Sequence, residues 1–331
     1  MDVEKVRSAE GVEGVLCAEK VILVTGGYGF IGSNFIRYMI DTHNYKIVNV
    51  DICTYAANEN NLNGYTTSPQ YVEYINDICD ADAISKIIKR ENVTDIIHFA
   101  AESHVDMSLK DPNLFVRTNV LGTSVLLEAF KSNNLTGRFH HVGTDEVYGD
   151  LPFDTSMFTE ETPYNPSSPY SASKAASDML VKSFNRSFNM NCTISNCSNN
   201  YGPRQDNTKL IPKVIEKTIK GEAIPVYGTG SNVRDWLYVL DHCKAIDVIF
   251  HKAQPGSQYL IGGRNERTNL DIIHNIFDIM KSGDIEFVED RAGHDRRYAI
   301  NAAKLENELG WKAEETFETG IVKTIKWYKR R

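Results

Sequence analysis

Residues 20–34 read KVILVTGGYGFIGSN, and the change of character halfway along this stretch decides the fold. Residues 20–25 are mostly apolar and run straight into glycine, the pattern of a strand buried on both faces. Residues 30–41 have helical spacing. Between them lies Gly26-Gly27-Tyr28-Gly29-Phe30-Ile31-Gly32, spaced G-x-x-G-x-x-G. Glycine is needed where a backbone turns tightly or approaches a ligand closely. A helix opening directly after such a turn presents free N–H groups and partial positive charge, which suits a phosphate. A glycine loop alone is equally the mark of a tight turn that binds nothing.

Context outside the loop favours a ligand. Residues 46–51 (KIVNVD) read as a second strand ending on Asp51, 19 residues beyond Gly32. A carboxylate there accepts hydrogen bonds from an adenosine ribose and repels the extra phosphate of NADP, so the pattern points to NAD. Further strands are expected at residues 71–76, 94–100, 138–144 and 191–196, alternating with helices at 82–91, 113–132 and 171–188. This alternation predicts an α/β fold with a doubly wound parallel sheet of Rossmann type. Asp77 and Ile78, after the third strand, suit an adenine ring, although a solvated strand-end carboxylate reads the same way. Beyond about residue 200, Pro203, Pro212, Pro225, Gly228, Gly230, Gly262 and Gly263 punctuate shorter elements. The expected organisation is a tail over residues 1–19, an NAD-binding domain over 20–200 and a smaller mixed α/β substrate lobe over 201–331. The boundary is soft, because the chain can cross between lobes more than once.

Composition narrows the function classes. The 331 residues carry a net charge of −8, a poor match for non-specific nucleic-acid binding, which needs a basic surface. The apolar content of 41% supplies a core without a metal or disulfide staple. The six cysteines form no C-x-x-C pair and show no metal-ligand spacing, so reduced thiols and no metal are expected. No apolar run reaches about 18 residues, and the charged start is unlike a signal peptide. The expectation is a cytoplasmic enzyme with no membrane partner.

Two clusters carry chemistry. Tyr170 and Lys174 are four apart, on one face of a predicted helix. A nearby ammonium lowers a phenol's pKa and lets it accept a proton from a sugar hydroxyl. The same spacing also describes a surface pair. The fifth strand ends in Thr144-Asp145-Glu146, and ligands bind at the C-terminal ends of parallel strands. Thr144 can donate to the hydroxyl or ketone being interconverted. Two adjacent carboxyls can serve as acid and base in an elimination if their pKa values are pushed apart. By spacing alone, a solvated turn is an equal reading.

Together these features resemble the extended short-chain dehydrogenase/reductase (NAD-dependent epimerase/dehydratase) family and, within it, the nucleotide-sugar 4,6-dehydratases. The matching segments are residues 25–34 (TGGYGFIGSN), 99–106 (FAAESHVD), 144–149 (TDEVYG), 170–175 (YSASKA), 197–203 (CSNNYGP), 233–239 (VRDWLYV) and 290–298 (DRAGHDRRY). The resemblance implies a nucleotide-diphosphate sugar substrate, dTDP-glucose ahead of UDP-glucose, and tightly held NAD. It implies that Tyr170 takes the proton at carbon 4, Glu146 the proton at carbon 5, and that Asp145 protonates the hydroxyl leaving carbon 6. The cofactor contacts it implies are Gly26, Gly29, Phe30, Ile31, Gly32, Asp51, Ile52, Cys53, Thr54, Asp77, Ile78, Ala100, Ala101, Glu102, Ser103, Thr118, Tyr170, Lys174 and Asn200. The substrate contacts are His104, Thr144, Asn199, Lys209, Leu210, Pro225, Val226, Tyr227, Arg234, Asn269, Asp290, Arg291, Ala292, Gly293 and His294. A homodimer paired through the helices at 113–132 and 171–188 is implied as well.

The chain departs from the family pattern at four places. Gly143 precedes Thr144 where serine is common. Met107 stands where a basic residue is common. Ile52-Cys53 replaces Lys-Leu, and the loop at 204–209 reads RQDNTK. The loop bears on nucleotide choice, since one thymine methyl discriminates by only about 1–3 kcal/mol. A nucleotide-sugar 4-epimerase on the same fold is the rival reading, and it has no use for the carboxyl pair.

Overall fold

The computed structural model describes residues 6–7, 20–290 and 295–330. They form two compact units. One comprises Met1–Gly143, Ser168–Ser195 and Ile246–Gln258; the other comprises Thr144–Ser167, Asn196–Ala245 and Tyr259–Arg331. The expected tail, residues 1–19, lies outside the described residues except for Val6–Arg7, which pair antiparallel with Tyr74 and Glu73.

The first unit carries parallel strands in the order Tyr71–Ile75, Lys46–Asp51, Val21–Thr25 and Asp95–His98, followed by residues 139–143 and 192–195. The sequence order reverses beside Val21–Thr25, the arrangement that opens a ligand crevice at the C-terminal strand ends. The expected strands and helices are all present, with ends shifted by one or two residues. Leu23, Val48, Ile96, Phe139 and Ile194 are buried on one face of the sheet beneath Ile84, Leu126, Leu127, Phe130, Val181 and Phe184. Each such aliphatic side chain contributes on the order of 1.5–3 kcal/mol.

One element differs from its expected form. The helix expected over 113–132 is a rod in three pieces: Pro112–Phe115, a wider π turn at Val116–Leu121, and Gly122–Ser132. Two contacts hold this geometry. Gly122 lies against Ile78, where a Cβ would fall 2.5 Å from the Ile78 Cδ1. The buried Asn119 accepts from the Glu102 N–H at 2.8 Å and donates to the Glu102 carbonyl at 3.0 Å and to the Ser173 hydroxyl at 2.8 Å. A π turn spends one extra residue, and here that residue lets an amide reach inward.

The second unit holds a three-stranded sheet, ordered Glu266–Thr268, Val233–Tyr238, Asn199–Tyr201, and a parallel pair, Ile224–Tyr227 with Ile285–Val288. The helices Leu210–Lys220, Asn269–Met280 and Phe317–Tyr328 bury Ile211, Ile215, Ile272, Ile276, Phe317 and Ile321 around Tyr201 and Trp236.

Candidate active site

In the first unit the glycine loop follows the strand Val21–Thr25 and opens the helix Phe30–Thr42, whose N-cap, Gly29, offers no side-chain cap. Three glycines are sterically required. Gly26 has φ +73°, and a Cβ on it would lie 2.8 Å from the Ala100 backbone. A Cβ on Gly27 would lie 2.1 Å from the Asn49 Oδ1, and one on Gly32 2.3 Å from the Gly26 carbonyl. Tyr28 explains the altered spacing: it is buried, and its hydroxyl donates to Glu73. The aromatic residue thus ties the loop to the next strand but one.

Asp51 is buried and accepts from the Tyr28 N–H at 2.9 Å and the Cys53 N–H at 2.8 Å. Burial raises its pKa, partly offset by these backbone donors. Cys53 sits in the left-handed region at φ 57°, and Ile52 is about half exposed. The Ala100 N–H donates to Thr25 Oγ1 at 3.2 Å, so the loop, Asp51 and the 100–103 segment meet at the strand ends. Burial raises the Glu102 pKa, against a hydrogen bond from Tyr55. Asp77 accepts from the Cys79 N–H at 2.9 Å and from Arg117 at 2.6 Å. Arg117 and Thr118 both lie in the π turn. His104 begins the helix Val105–Lys110, with its ring edge-on to Tyr55.

The helix Pro169–Phe188 starts in a capping box between Ser168 and Ser171, with Pro169 in its first turn. This fixes Tyr170 and Lys174, both buried, in the first two turns. Lys174 donates to the Val142 carbonyl at 2.9 Å and lies 3.4 Å from His141 Nε2. The Asp178 Oδ1 lies 3.3 Å from that same nitrogen. His141 and Asp178 are wholly buried, and burial, with Lys174 beside it, holds the His141 pKa well below the usual range. A buried ammonium needs a counter-charge, and Asp178 is a carboxyl group placed beside the same His141 nitrogen that Lys174 approaches. Asp178 and Asn119 were not among the expected site residues. The signal for Asp178 was its place four residues after Lys174, one turn along the same face.

In the second unit, Thr144 N-caps the 3-10 turn Asp145–Tyr148, accepting from the Glu146 N–H at 3.3 Å. Its carbonyl accepts from Asn196 at 3.2 Å. Asp145 is 2% exposed, and its Oδ2 has no hydrogen-bond partner among the described residues. Burial, reinforced by Glu146 and Asp235, raises the Asp145 pKa well above the carboxylate range. Burial raises the Glu146 pKa too, but Lys209 and then Arg234 pull it back.

Arg234 donates to the carbonyls of Val233 at 2.8 Å and Asp295 at 2.9 Å and stacks 4.2 Å from the Tyr298 ring. The Tyr298 hydroxyl donates to Asp295, which also accepts from Ser167 at 2.6 Å. Neither Asp295 nor Tyr298 was among the expected contacts, though both lie within or beside the quoted 290–298 segment. Asn199 Oδ1 is buried without a partner among the described residues, whereas Asn200 accepts from His242 at 2.9 Å. Asp290 packs on Gly228, where a Cβ would fall 2.6 Å from its Oδ2. Lys209 N-caps the helix that Leu210 begins. Pro225, Val226 and Tyr227 lie in a strand, with Val226 buried in it. Asn269 opens a helix, its N–H on the Asn232 carbonyl at 3.1 Å. The expected contacts Arg291, Ala292, Gly293 and His294 lie outside the described residues.

Comparison with known proteins reaches the same chemistry by another route. Residues 23–324 match the family model described as GDP-mannose 4,6 dehydratase. The chain is 46% identical to dTDP-glucose 4,6-dehydratase 1 of Escherichia coli K12, over 93% of this chain and 92% of that one. Among solved structures it resembles dTDP-glucose 4,6-dehydratase from Bacillus anthracis in complex with NAD. There the TM-score is 0.88 at 44% identity, over 94% of this chain and 97% of that one. The Streptomyces venezuelae dTDP-glucose 4,6-dehydratase, also with NAD bound, gives a TM-score of 0.90 at 38% identity, over 94% and 97%.

Proposed function

The chain belongs to the family whose model is described as GDP-mannose 4,6 dehydratase, and from that premise we propose that it converts dTDP-glucose into dTDP-4-dehydro-6-deoxy-glucose and water with NAD held throughout. The observation that carries the elimination half is the carboxyl pair, Asp145 with its pKa driven far up and Glu146 beside two cations. An epimerase has no role for such a pair.

Fit to the cofactor rests on the glycine cradle, which a Cβ at Gly26 or Gly32 would fill, and on the uncapped helix start. Gly26, Gly29 and Gly32 with Phe30 and Ile31 would hold the pyrophosphate, and Asp51 the ribose. When bound, NAD supplies a hydride acceptor that later gives the hydride back. The chain's own residues do the rest. Tyr170, as phenolate beside the Lys174 ammonium, takes the proton from the hydroxyl on carbon 4, and Thr144 donates to that oxygen. The resulting ketone acidifies the carbon 5 proton. Glu146, the more readily ionised carboxyl, removes it, and Asp145, the one that keeps its proton, protonates the hydroxyl departing from carbon 6; Glu146 then returns its proton to carbon 5 as the hydride is restored at carbon 6. The pKa ordering of the pair supports that division of labour. Arg234 suits a diphosphate, because a guanidinium presents paired donors to oxyanions.

The decisive experiment offers dTDP-glucose, UDP-glucose, CDP-glucose and GDP-mannose separately and identifies products by mass and NMR. The expected outcome is a 4-keto-6-deoxy sugar from dTDP-glucose at the highest kcat/KM. Formation of a 4-epimer alone would sink the reading.

The working form we propose is a homodimer in the cytoplasm. Val116, Leu121, Met179 and Phe188 are each about half exposed. They are exposed apolar positions on the helical run over residues 112–132 and on the helix Pro169–Phe188, which a second copy would cover. No helix among the described residues is long and apolar enough to cross a membrane.

A further inference from the structure

His43 follows the helix Phe30–Thr42 as its C-cap, while Asp247 and His251 sit four apart on the helix Val239–Lys252. The fold brings together residues that are 204 apart in sequence: His43 Nε2 lies 3.0 Å from Asp247 Oδ1. His251 Nδ1 lies 2.9 Å from that same oxygen, and also 2.9 Å from the Asp247 backbone carbonyl. One donor atom from each residue falls within 4.8 Å of the other two.

We propose that His43, Asp247 and His251 bind one divalent cation of the zinc class, tying the end of one helix to the last turn of the other. Two imidazole nitrogens and one carboxylate oxygen are a donor set for zinc, cobalt or nickel rather than for calcium or magnesium. Zinc–ligand distances of about 2.0–2.1 Å in a tetrahedral site set neighbouring donors about 3.3 Å apart. The two nitrogen–oxygen spacings reach that value by shifts of a few tenths of an ångström, and the two nitrogens lie within 4.8 Å of each other.

Outer contacts match what ligating groups need. The Tyr45 hydroxyl lies 2.9 Å from His251 Nε2, the ring nitrogen that would not face the cation. Tyr38 donates to the second carboxylate oxygen of Asp247 at 3.0 Å. Tyr45 also stacks on the His43 ring at 4.9 Å, fixing its plane. Asp247 is buried whereas His251 is exposed, so a cation can enter from solvent and keep water in its fourth position. The competing description is a purely hydrogen-bonded His–Asp–His cluster that binds nothing.

His43 to Tyr45 precede the strand Lys46–Asp51, at the end of the sheet opposite the glycine loop. The site is therefore structural and separate from the dehydration chemistry. The test uses untagged, NAD-loaded protein stripped with a chelator, then titrated with Co²⁺ by absorption and with Zn²⁺ by calorimetry. The expected result is one cation per chain with micromolar or tighter affinity, tetrahedral cobalt bands and a raised Tm. His43→Ala and His251→Ala should each weaken binding roughly tenfold or more and abolish the Tm rise, with turnover unchanged. Absence of binding at micromolar cation, or binding that neither substitution weakens, would overturn the proposal.

Discussion

At Asp145, burial keeps a proton on the carboxyl far above the pH at which the unfolded chain releases it, about 3.9. Between those two points the folded state holds more protons than the unfolded one, so stability falls as pH rises. Asp145→Asn removes that dependence. Its Tm should match wild type near pH 4 and exceed it increasingly as pH rises above that, with turnover lost; calorimetry across pH checks the trend. Glu146→Gln should still oxidise carbon 4 and then stall, so reduced-nicotinamide absorbance persists after mixing with substrate. Unchanged turnover would remove Glu146 from the scheme. Asp178→Asn tests the counter-charge behind Lys174. With that charge gone, the ammonium is harder to keep and the Tyr170 phenol harder to ionise. The expected result is a lower kcat at unchanged KM, with the rising limb of the pH–rate profile moved to higher pH. A structural defect alone would lower the amount of active enzyme and leave the limb in place.

The strand, loop and helix over residues 20–42 were legible because three signals coincide there: an apolar run, glycines at turn positions, and helical spacing. The π turn was not legible, since one extra residue per turn leaves no mark in hydrophobic periodicity when both flanks remain amphipathic. The strand over 138–144 was legible despite two adjacent histidines, and in the fully buried strand Phe139–Thr144 the His140 ring is satisfied by Thr193 and Ser195 at 2.9 and 3.0 Å. Among the site residues, local spacing left Tyr170, Lys174 and the carboxyl pair between two readings, and the family resemblance gave them their roles. Asp295 and Tyr298 left no such mark, because their relation to Arg234 exists only after folding. The loop itself gives a prediction. Gly26→Ala forces a side chain into a left-handed backbone and against Ala100. It should cost about 1–3 kcal/mol in urea unfolding and abolish co-purification of NAD.

For the whole molecule, assembly is open to direct measurement. Sedimentation velocity should show a dimer for wild type and a monomer for the double substitution Leu121→Glu and Met179→Glu, since each puts a charge at an exposed apolar position. A wild-type monomer would discard that assembly. The division of the chain has a consequence of a different kind. Its six segments alternate between the two units, so the backbone changes unit five times, the first between Gly143 and Thr144. Gene recombination with a single crossover therefore cannot exchange one unit for a relative's counterpart intact. Any one junction yields hybrids in which at least one unit is stitched from two parents. A change confined to one unit is therefore reached by point substitutions, loop replacements or several crossovers together rather than by one exchange of a whole module.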